Sequence, residues 1–327
     1  MNVLVIGGAG YIGSHMVGYL KTQNIASVVI DDLSTGFSES VVGVPFYEGD
    51  FASQNLLQQV FKEHQIDAVM HFAASSQVGE SVLQPEKYYS NNLCKTQVLL
   101  QTMRQCRVPN IVFSSTAAVY GDPKQTLIDE MHPVTPINPY GRSKLAVEWM
   151  LQDYAHAYGI KAACLRYFNA AGAAIDASNG ERHDPETHLI PLVLQALSGR
   201  RHGIKVFGTD YATPDGTCIR DYIHILDLAQ AHLLALNWLL TQSTSTYRAF
   251  NLGNGTGFSV RQVIATAKEV TGQQLNEEAS ARRMGDPAVL VASAEQAKQV
   301  LGWQPQYTKL QEIITHAWAW EKSRVGI

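Results

Sequence analysis

Tyr140 and Lys144 are the side chains on which chemistry in this chain would turn. Four residues apart on a helix, they share one face. The ammonium can then lie beside the phenol and favour its ionised form, so that the tyrosine can act as a base near neutral pH. The local sequence supports the helix: Asn138 suits the N-cap, Pro139 the first turn, and Lys144 to Leu151 is apolar at helical spacing. A Tyr-x-x-x-Lys match also arises by chance on ordinary surface helices. Its weight therefore depends on what precedes it.

The chain opens with a short apolar run, Val3 to Ile6, of the kind found in a buried parallel strand. It leads into Gly7-Gly8-Ala9-Gly10-Tyr11-Ile12-Gly13, with glycines at the first, fourth and seventh positions, and then into an apolar-periodic segment from Ile12 to Leu20. A strand, a glycine turn and a helix N-terminus present free backbone N–H groups and the positive end of a helix dipole to a pyrophosphate. The next strand, Ser27 to Ile30, ends in Asp31-Asp32, at the distance expected of the acid that binds an adenosine ribose. A carboxylate there accepts from the ribose hydroxyls and repels a 2′-phosphate. NAD is therefore expected, in preference to NADP.

These residues need a scaffold. Strands at Val44 to Glu48, Ala68 to Phe72, Ile111 to Ser114 and Ala162 to Leu165 alternate with helices at Gln54 to Glu63, Asn92 to Arg104 and Tyr140 to Tyr158. This beat predicts an α/β fold, a Rossmann-type doubly wound parallel sheet. In such sheets ligands lie beyond the carboxyl ends of the strands. That singles out Asp50, the segment Phe72-Ala73-Ala74-Ser75-Ser76, the segment Ser114-Ser115-Thr116, and Phe168-Asn169. Past Gly172 the beat is lost. A polar, glycine-containing loop (Ala177 to Pro185) precedes helices at Leu189 to Leu197, Leu226 to Leu240 and Val260 to Val270, with strands at Ile219 to Ile225 and Tyr247 to Leu252. We expect residues 1–172 to form the nucleotide-binding domain, joined by the strands near 219–225 and 247–252. Residues 173–327 would form a smaller mixed α/β domain at the sheet's carboxyl edge.

A chain of 327 residues with 46% hydrophobic and 17% charged residues has the composition of a globular protein. A formal net charge of −4, with no basic cluster beyond Arg200-Arg201 and Arg282-Arg283, argues against nucleic-acid binding. The short apolar start turns at once into glycines and has no basic leader, so neither a signal peptide nor a membrane span is expected and the location should be cytoplasmic. Cys94, Cys106, Cys164 and Cys218 are widely spaced, which suggests reduced thiols. The 11 histidines show no His-x-x-x-His or other ligand grouping. No metal site is expected.

Several longer stretches are more specific than the glycine loop. They are Gly7 to His15, His71-Phe72-Ala73-Ala74, Val78-Gly79-Glu80-Ser81, Phe113-Ser114-Ser115, Val119-Tyr120-Gly121, Pro139-Tyr140-Gly141, Leu165-Arg166-Tyr167-Phe168-Asn169 and Arg220-Asp221-Tyr222-Ile223-His224. Over nearly its whole length the chain resembles the UDP-glucose/UDP-galactose 4-epimerase family, within the extended short-chain dehydrogenase/reductase superfamily. The resemblance implies NAD contacts from Gly7, Gly10, Tyr11, Ile12, Gly13, Asp31, Asp50, Phe51, Phe72, Ala73, Ala74, Asn92, Tyr140, Lys144 and Phe168. It implies UDP-hexose contacts from Thr116, Tyr140, Asn169, His188, Leu189, Phe207, Arg220, Arg283, Asp286 and Val289, and a homodimer. The family often has lysine where Ser76 stands and asparagine where His188 stands.

The implied chemistry follows from the substrate. Inverting a secondary alcohol requires breaking a C–H bond that is not acidic, which a bound nicotinamide solves by accepting the hydrogen as hydride. Tyr140 would take the proton of the sugar 4-hydroxyl, aided by Lys144, and Thr116 would hydrogen-bond the same hydroxyl and the developing ketone. The 4-keto sugar would turn about its link to the diphosphate and be reduced on its other face. Arg220 and Arg283 suit the diphosphate as fork-shaped donors. A 4,6-dehydratase would also need an acid and a base after Thr116, where this chain has Ala117 and Ala118. A non-catalytic NAD sensor would have no use for Tyr140, Lys144 and Thr116 together. Alignment of the segment Arg282 to Asp286 sets Val289 where the family places a residue against the hexose. A small side chain there predicts acceptance of N-acetylated UDP-hexoses.

Overall fold

The computed structural model describes residues 1–283 and 286–326. Its main sheet has seven parallel strands in the spatial order Thr246–Leu252, Lys161–Tyr167, Asn110–Thr116, Ala68–His71, Asn2–Ile6, Ala26–Asp31 and Phe46–Glu48. The direction of winding reverses at Asn2–Ile6. Ligands of doubly wound sheets bind at such a switch point, and here it opens directly onto Gly7.

Alternation along the first strand builds both faces of the sheet. Val3 and Val5 join one core with Met16, Leu20, Leu228 and Leu236, from the helices Tyr11–Thr22 and Ile225–Thr241. Leu4 and Ile6 join the other with Leu57, Val60, Leu99, Met103, Val147 and Leu151, from Gln54–His64, Lys95–Cys106 and Pro139–Tyr158. A strand covered on both faces is apolar at every position, as Val3 to Ile6 is.

A second sheet has Ile219–His224 at its centre. That strand pairs with Gly257–Ser259, Val289–Ala292 and Asn169–Ala171, and Leu127–Ile128 extends the sheet beyond Val289–Ala292. Helices Leu189–Leu197, Val260–Thr271 and Leu310–Val325 pack around it. Ile204–Phe207 and Glu277–Ser280 form a separate parallel pair.

The strand expected near 247–252 therefore joins the main sheet, whereas the one expected near 219–225 does not. Ile219–His224 carries Arg220 and Asp221, which an apolar, doubly covered sheet cannot accept without partners. In the second sheet Asp221 accepts the backbone N–H groups of Asn254, Gly255 and Ala292. The helix expected from Asn92 also differs. Helical structure already begins at Pro85 and passes through a π-helical turn, Tyr89–Cys94, before Lys95–Cys106. Asn92 lies inside that turn and caps nothing, because its side chain is committed elsewhere. Among the described residues no helix is long and apolar enough to cross a membrane.

Candidate active site

The glycine loop is shaped by close backbone approach. Gly7 has φ +77°, and a Cβ there would lie 2.5 Å from the backbone nitrogen of Ala73. A Cβ on Gly13 would lie 2.1 Å from the carbonyl oxygen of Gly7. By contrast, a Cβ on Gly10 would meet only that oxygen, at 3.5 Å, so this side of the loop is open. Gly10 is the N-cap of Tyr11–Thr22 and brings no side-chain hydrogen bond, and the first turn holds no acid. Its uncapped N–H groups and dipole suit a phosphate.

Asp31 ends the second strand. Its Oδ2 accepts from Ala9 N–H and its Oδ1 from Leu33 N–H, both at 2.9 Å. Burial raises its pKa, and the two backbone donors partly offset that shift. Phe72 N–H and Ala73 N–H both donate to Ile6 carbonyl, which turns the segment 72–76 across the strand ends. Asn92 fixes the same segment: its Oδ1 accepts from Ser75 N–H (2.8 Å), and its Nδ2 donates to Ser75 carbonyl and to Ser143 Oγ (both 3.0 Å). Asn92 thus links the loop to the helix of Tyr140, and π-helical turns such as its own are frequent at functional sites. An open glycine loop, an uncapped helix and an acid at the end of the second strand together fit a dinucleotide.

Other residues expected at the cofactor lie around this cradle. The Tyr11 hydroxyl donates to Gly172 carbonyl (2.8 Å), and Ile12 packs into the core. Asp50 is exposed and paired with Lys95 (2.9 Å), while Phe51 is buried under the Lys95 ammonium and against His71. The Phe72 and His232 rings lie 4.8 Å apart in a tilted arrangement, and Phe168 packs against the cluster of Val119, Tyr120, Ile128 and Leu145.

The helix Pro139–Tyr158 starts as its sequence predicts, with Asn138 accepting from Gly141 N–H at 2.8 Å. Tyr140 faces Tyr88, with ring centroids 6.4 Å apart. Burial raises the Tyr140 pKa, and a hydrogen bond from Thr116 opposes that rise. Thr116 ends the strand Asn110–Thr116, where its Oγ1 also accepts Ala118 N–H at 3.1 Å. Ala117 and Ala118 in the next turn bring no acid or base.

Lys144 Nζ donates to Ser114 carbonyl at 2.9 Å and lies 4.8 Å from the centre of the Phe113 ring. A buried ammonium needs acceptors, and the backbone carbonyl at the strand end is one. Burial lowers its pKa to about 7.

A buried ionic network that the sequence reading missed holds this helix. Glu148, one turn past Lys144, binds Arg166 through two oxygens and also accepts from Ser115 and Tyr247. Arg166 reaches Tyr120, which donates to Asn251. Three strand ends are so tied to one helix. The signal was present in the sequence, because a charge inside a buried strand such as Cys164-Leu165-Arg166-Tyr167 requires a partner.

The residues expected at the UDP-sugar lie on the second sheet and its loops. Arg220 pairs with Asp286 at 2.5 Å and donates to Ile219 carbonyl at 2.8 Å. The Arg283 guanidinium lies 4.2 Å over the Phe207 ring. Asn169 Nδ2 donates to Asp221 carbonyl (2.9 Å) where their strands pair. Val289, half-buried, is in register with Ile219. Leu189 opens the helix Leu189–Leu197, of which His188 is the N-cap. The His188 side chain turns instead onto Glu181. Met284 and Gly285 of the aligned segment lie outside the described residues.

The expectation of no metal-ligand grouping is corrected here. Glu181, His183, Glu186 and His188 bring one ligand atom each within 4.8 Å of one another. Their spacing, Glu-x-His-x-x-Glu-x-His, fits no helical motif. A loop that folds back on itself makes the cluster, which periodicity does not reveal.

Comparison with known proteins agrees with this geometry. Residues 3–253 match the family described as the NAD dependent epimerase/dehydratase family. A UDP-glucose 4-epimerase of Streptococcus mutans is 52% identical over 326 residues, covering 99% of this chain and 97% of that protein. One from Halalkalibacterium halodurans is 51% identical over 322 residues, covering 98% and 96%. The crystal structure of a Brucella ovis UDP-glucose 4-epimerase in complex with NAD superposes with a TM-score of 0.94 at 49% identity, covering 97% of each chain. The chain belongs to the NAD-dependent epimerase/dehydratase family and, within it, to the UDP-glucose 4-epimerases.

Proposed function

We propose that this chain interconverts UDP-galactose and UDP-glucose through a 4-keto sugar, with Tyr140 as the base. The observation that carries the reading is the packing of the helix Pro139–Tyr158, which carries Tyr140, against the strand that ends in Thr116, one strand removed from the glycine loop's own strand Asn2–Ile6. NAD, when bound, accepts the C4 hydrogen of the sugar and returns it. Gly7, Gly10 and Gly13 with the first turn of Tyr11–Thr22 would hold its pyrophosphate, and Asp31 its adenosine ribose. Lys144 has spent one of its three N–H donors on Ser114 and keeps others for the second ribose. Tyr140 would receive the proton of the sugar 4-hydroxyl and give it back, while Thr116 holds that oxygen in place. Arg220, oriented by Asp286, and Arg283, stacked on Phe207, supply charge-assisted donors for the diphosphate. The two alanines after Thr116 leave the elimination of a dehydratase without its acid and base.

Incubating the purified chain with UDP-galactose and no added NAD tests the reading. UDP-glucose should accumulate to equilibrium, because a redox-neutral cycle needs no cofactor turnover. Recovery of UDP-galactose alone, by a protein shown to contain NAD, would refute it.

The seven-stranded sheet with its helices would form the NAD-binding domain, and the second sheet with residues from 173 onward most of the UDP-sugar domain. The same reading makes the chain a cytoplasmic homodimer. Supporting it, Trp149 is 56% exposed on the helix Pro139–Tyr158, which packs beside Val78–Leu83 with its exposed Val82 and Leu83. Light scattering should give twice the chain mass.

Val289 would set the sugar range. A tyrosine there would overpack against an acetamido group at C2, whereas valine leaves room. The chain should therefore also interconvert UDP-N-acetylglucosamine and UDP-N-acetylgalactosamine. Val289→Tyr should lower kcat/KM for that pair about 10-fold or more, while changing the UDP-glucose pair little. Equal effects on both pairs would remove Val289 from the pocket.

A further inference from the structure

The segment from Glu181 to His188 lies outside the proposed acid–base machinery, yet it concentrates four metal-ligating side chains. Its ends are tied to both halves of the site. Just before it, Asn179 Nδ2 donates to Ser14 Oγ (2.9 Å) on the helix that carries the glycine loop. At its end, His188 is the N-cap residue of the helix Leu189–Leu197 of the second core. Trp320 Nε1 donates to Glu181 carbonyl at 3.0 Å, which pins the segment to the last helix.

Within the cluster the two carboxylates are nearly inaccessible: the side chains of Glu181 and Glu186 are 6% and 4% exposed. Two carboxylates sharing one buried space cannot both stay ionised without close positive charge. The neighbouring Arg182 does not supply it, being paired with Glu39 at 2.8 Å and stacked on Phe37. What faces the carboxylates is a pair of imidazole Nδ1 atoms. His183 Nδ1 lies 3.4 Å from Glu181 Oε1 and 3.5 Å from Glu186 Oε2, and His188 Nδ1 lies 3.7 Å from Glu186 Oε1. His183 Nδ1 is buried, yet makes no hydrogen bond of acceptable geometry to either carboxylate.

These separations have a simple meaning. Four ligand atoms about 2.0–2.1 Å from a tetrahedral ion stand about 3.3–3.4 Å apart. With one oxygen taken from each carboxylate, His183 Nδ1 stands within about 0.2 Å of that edge from both Glu181 Oε1 and Glu186 Oε2. His188 Nδ1 lies 3.7 Å from the other Glu186 oxygen, and its direct hydrogen bond to Glu181 Oε1 at 2.5 Å would have to open by about 0.8 Å. The His188 side chain is 55% exposed and free to make that adjustment. We propose that Glu181, His183, Glu186 and His188 form a binding site for one divalent transition-metal ion. Two imidazole nitrogens and two carboxylate oxygens in a closed tetrahedron favour zinc over magnesium and calcium, which call for all-oxygen, higher-coordinate sites. With all four positions taken by protein the ion is structural. It clamps the segment that joins the glycine-loop helix to the helix Leu189–Leu197.

The test uses the full-length, NAD-containing protein, dialysed against a chelator and then titrated with zinc against a competing chromophoric chelator. One equivalent per chain should bind with an apparent Kd below about 1 μM. His183→Ala combined with Glu186→Gln should weaken uptake by more than the ~10–100-fold typical of losing one supporting partner. X-ray absorption on the zinc-loaded parent reads the ligand set without relying on the variant's folding, and should show two imidazoles and two oxygens at about 2.0–2.1 Å. Absence of stoichiometric uptake by the parent overturns the site. So do undiminished uptake by a folded double variant and a zinc shell containing sulfur.

Discussion

The two sheets bring different materials to the candidate site. On the main sheet, the nucleotide cradle is mostly backbone: a glycine turn against Ala73, an uncapped helix end and one acid held by two N–H groups. On the second sheet and its neighbours, the candidate sugar site is mostly side chains, brought from residues 169, 189, 207, 220, 283, 286 and 289 and held by an ion pair and a cation–π stack. A backbone cradle tolerates almost any change except added volume. A side-chain site fails when one charge is removed. Between the two lies Tyr140, which both sides serve.

The largest effect should come from that shared residue. Tyr140→Phe keeps the ring against Tyr88 and the NAD content, but should lose at least about 100-fold in kcat, since general-base catalysis is worth roughly 10² to 10⁴. Near-normal turnover would take the phenol out of the reaction.

A matched pair of substitutions sharpens the contrast. Gly13→Ala adds a Cβ 2.1 Å from the Gly7 carbonyl oxygen and should leave the purified protein with little bound nucleotide. Arg220→Ala should keep full nucleotide and raise KM for UDP-galactose about 10- to 100-fold, the worth of hydrogen bonds to a charged group. If both variants lose nucleotide equally, the two sides are not separable.

How legible each side was follows from the same difference. Gly7 to Asp31 could be read directly because strand, turn and helix are contiguous and locally encoded. The short strands Leu127–Ile128, Ile204–Phe207, Glu277–Ser280 and Val289–Ala292 were not read, since they exist only through pairing with distant segments. Ile219–His224 was assigned to the wrong sheet because its apolar ends hid the meaning of Arg220 and Asp221. The last helix, Leu310–Val325, went unread although Leu310, Ile313, Ile314 and Ala317 follow helical spacing. Tyr140 and Lys144 were found, yet the ammonium's bond to Ser114 and the anchoring by Glu148 depend on tertiary neighbours.

The smallest effect concerns Lys144. Burial puts its pKa near 7 in the folded chain, against 10.5 when exposed. Between those values the unfolded chain binds the extra proton, so this group makes stability rise with pH over that window. In nucleotide-stripped protein, the wild-type Tm should gain on that of Lys144→Met as pH goes from about 7 to about 10. A flat or falling difference would mean that the ammonium stays charged where it is.

The central claim is that the hydrogen leaving C4 of the sugar is the one that returns, while Tyr140 moves only the hydroxyl proton. UDP-galactose carrying deuterium at C4, converted in ordinary water, measures this directly. The UDP-glucose formed should keep the deuterium at C4, with none released to solvent. Progressive loss of the label to water would contradict it, because it would make the C4 hydrogen a proton removed by a side chain.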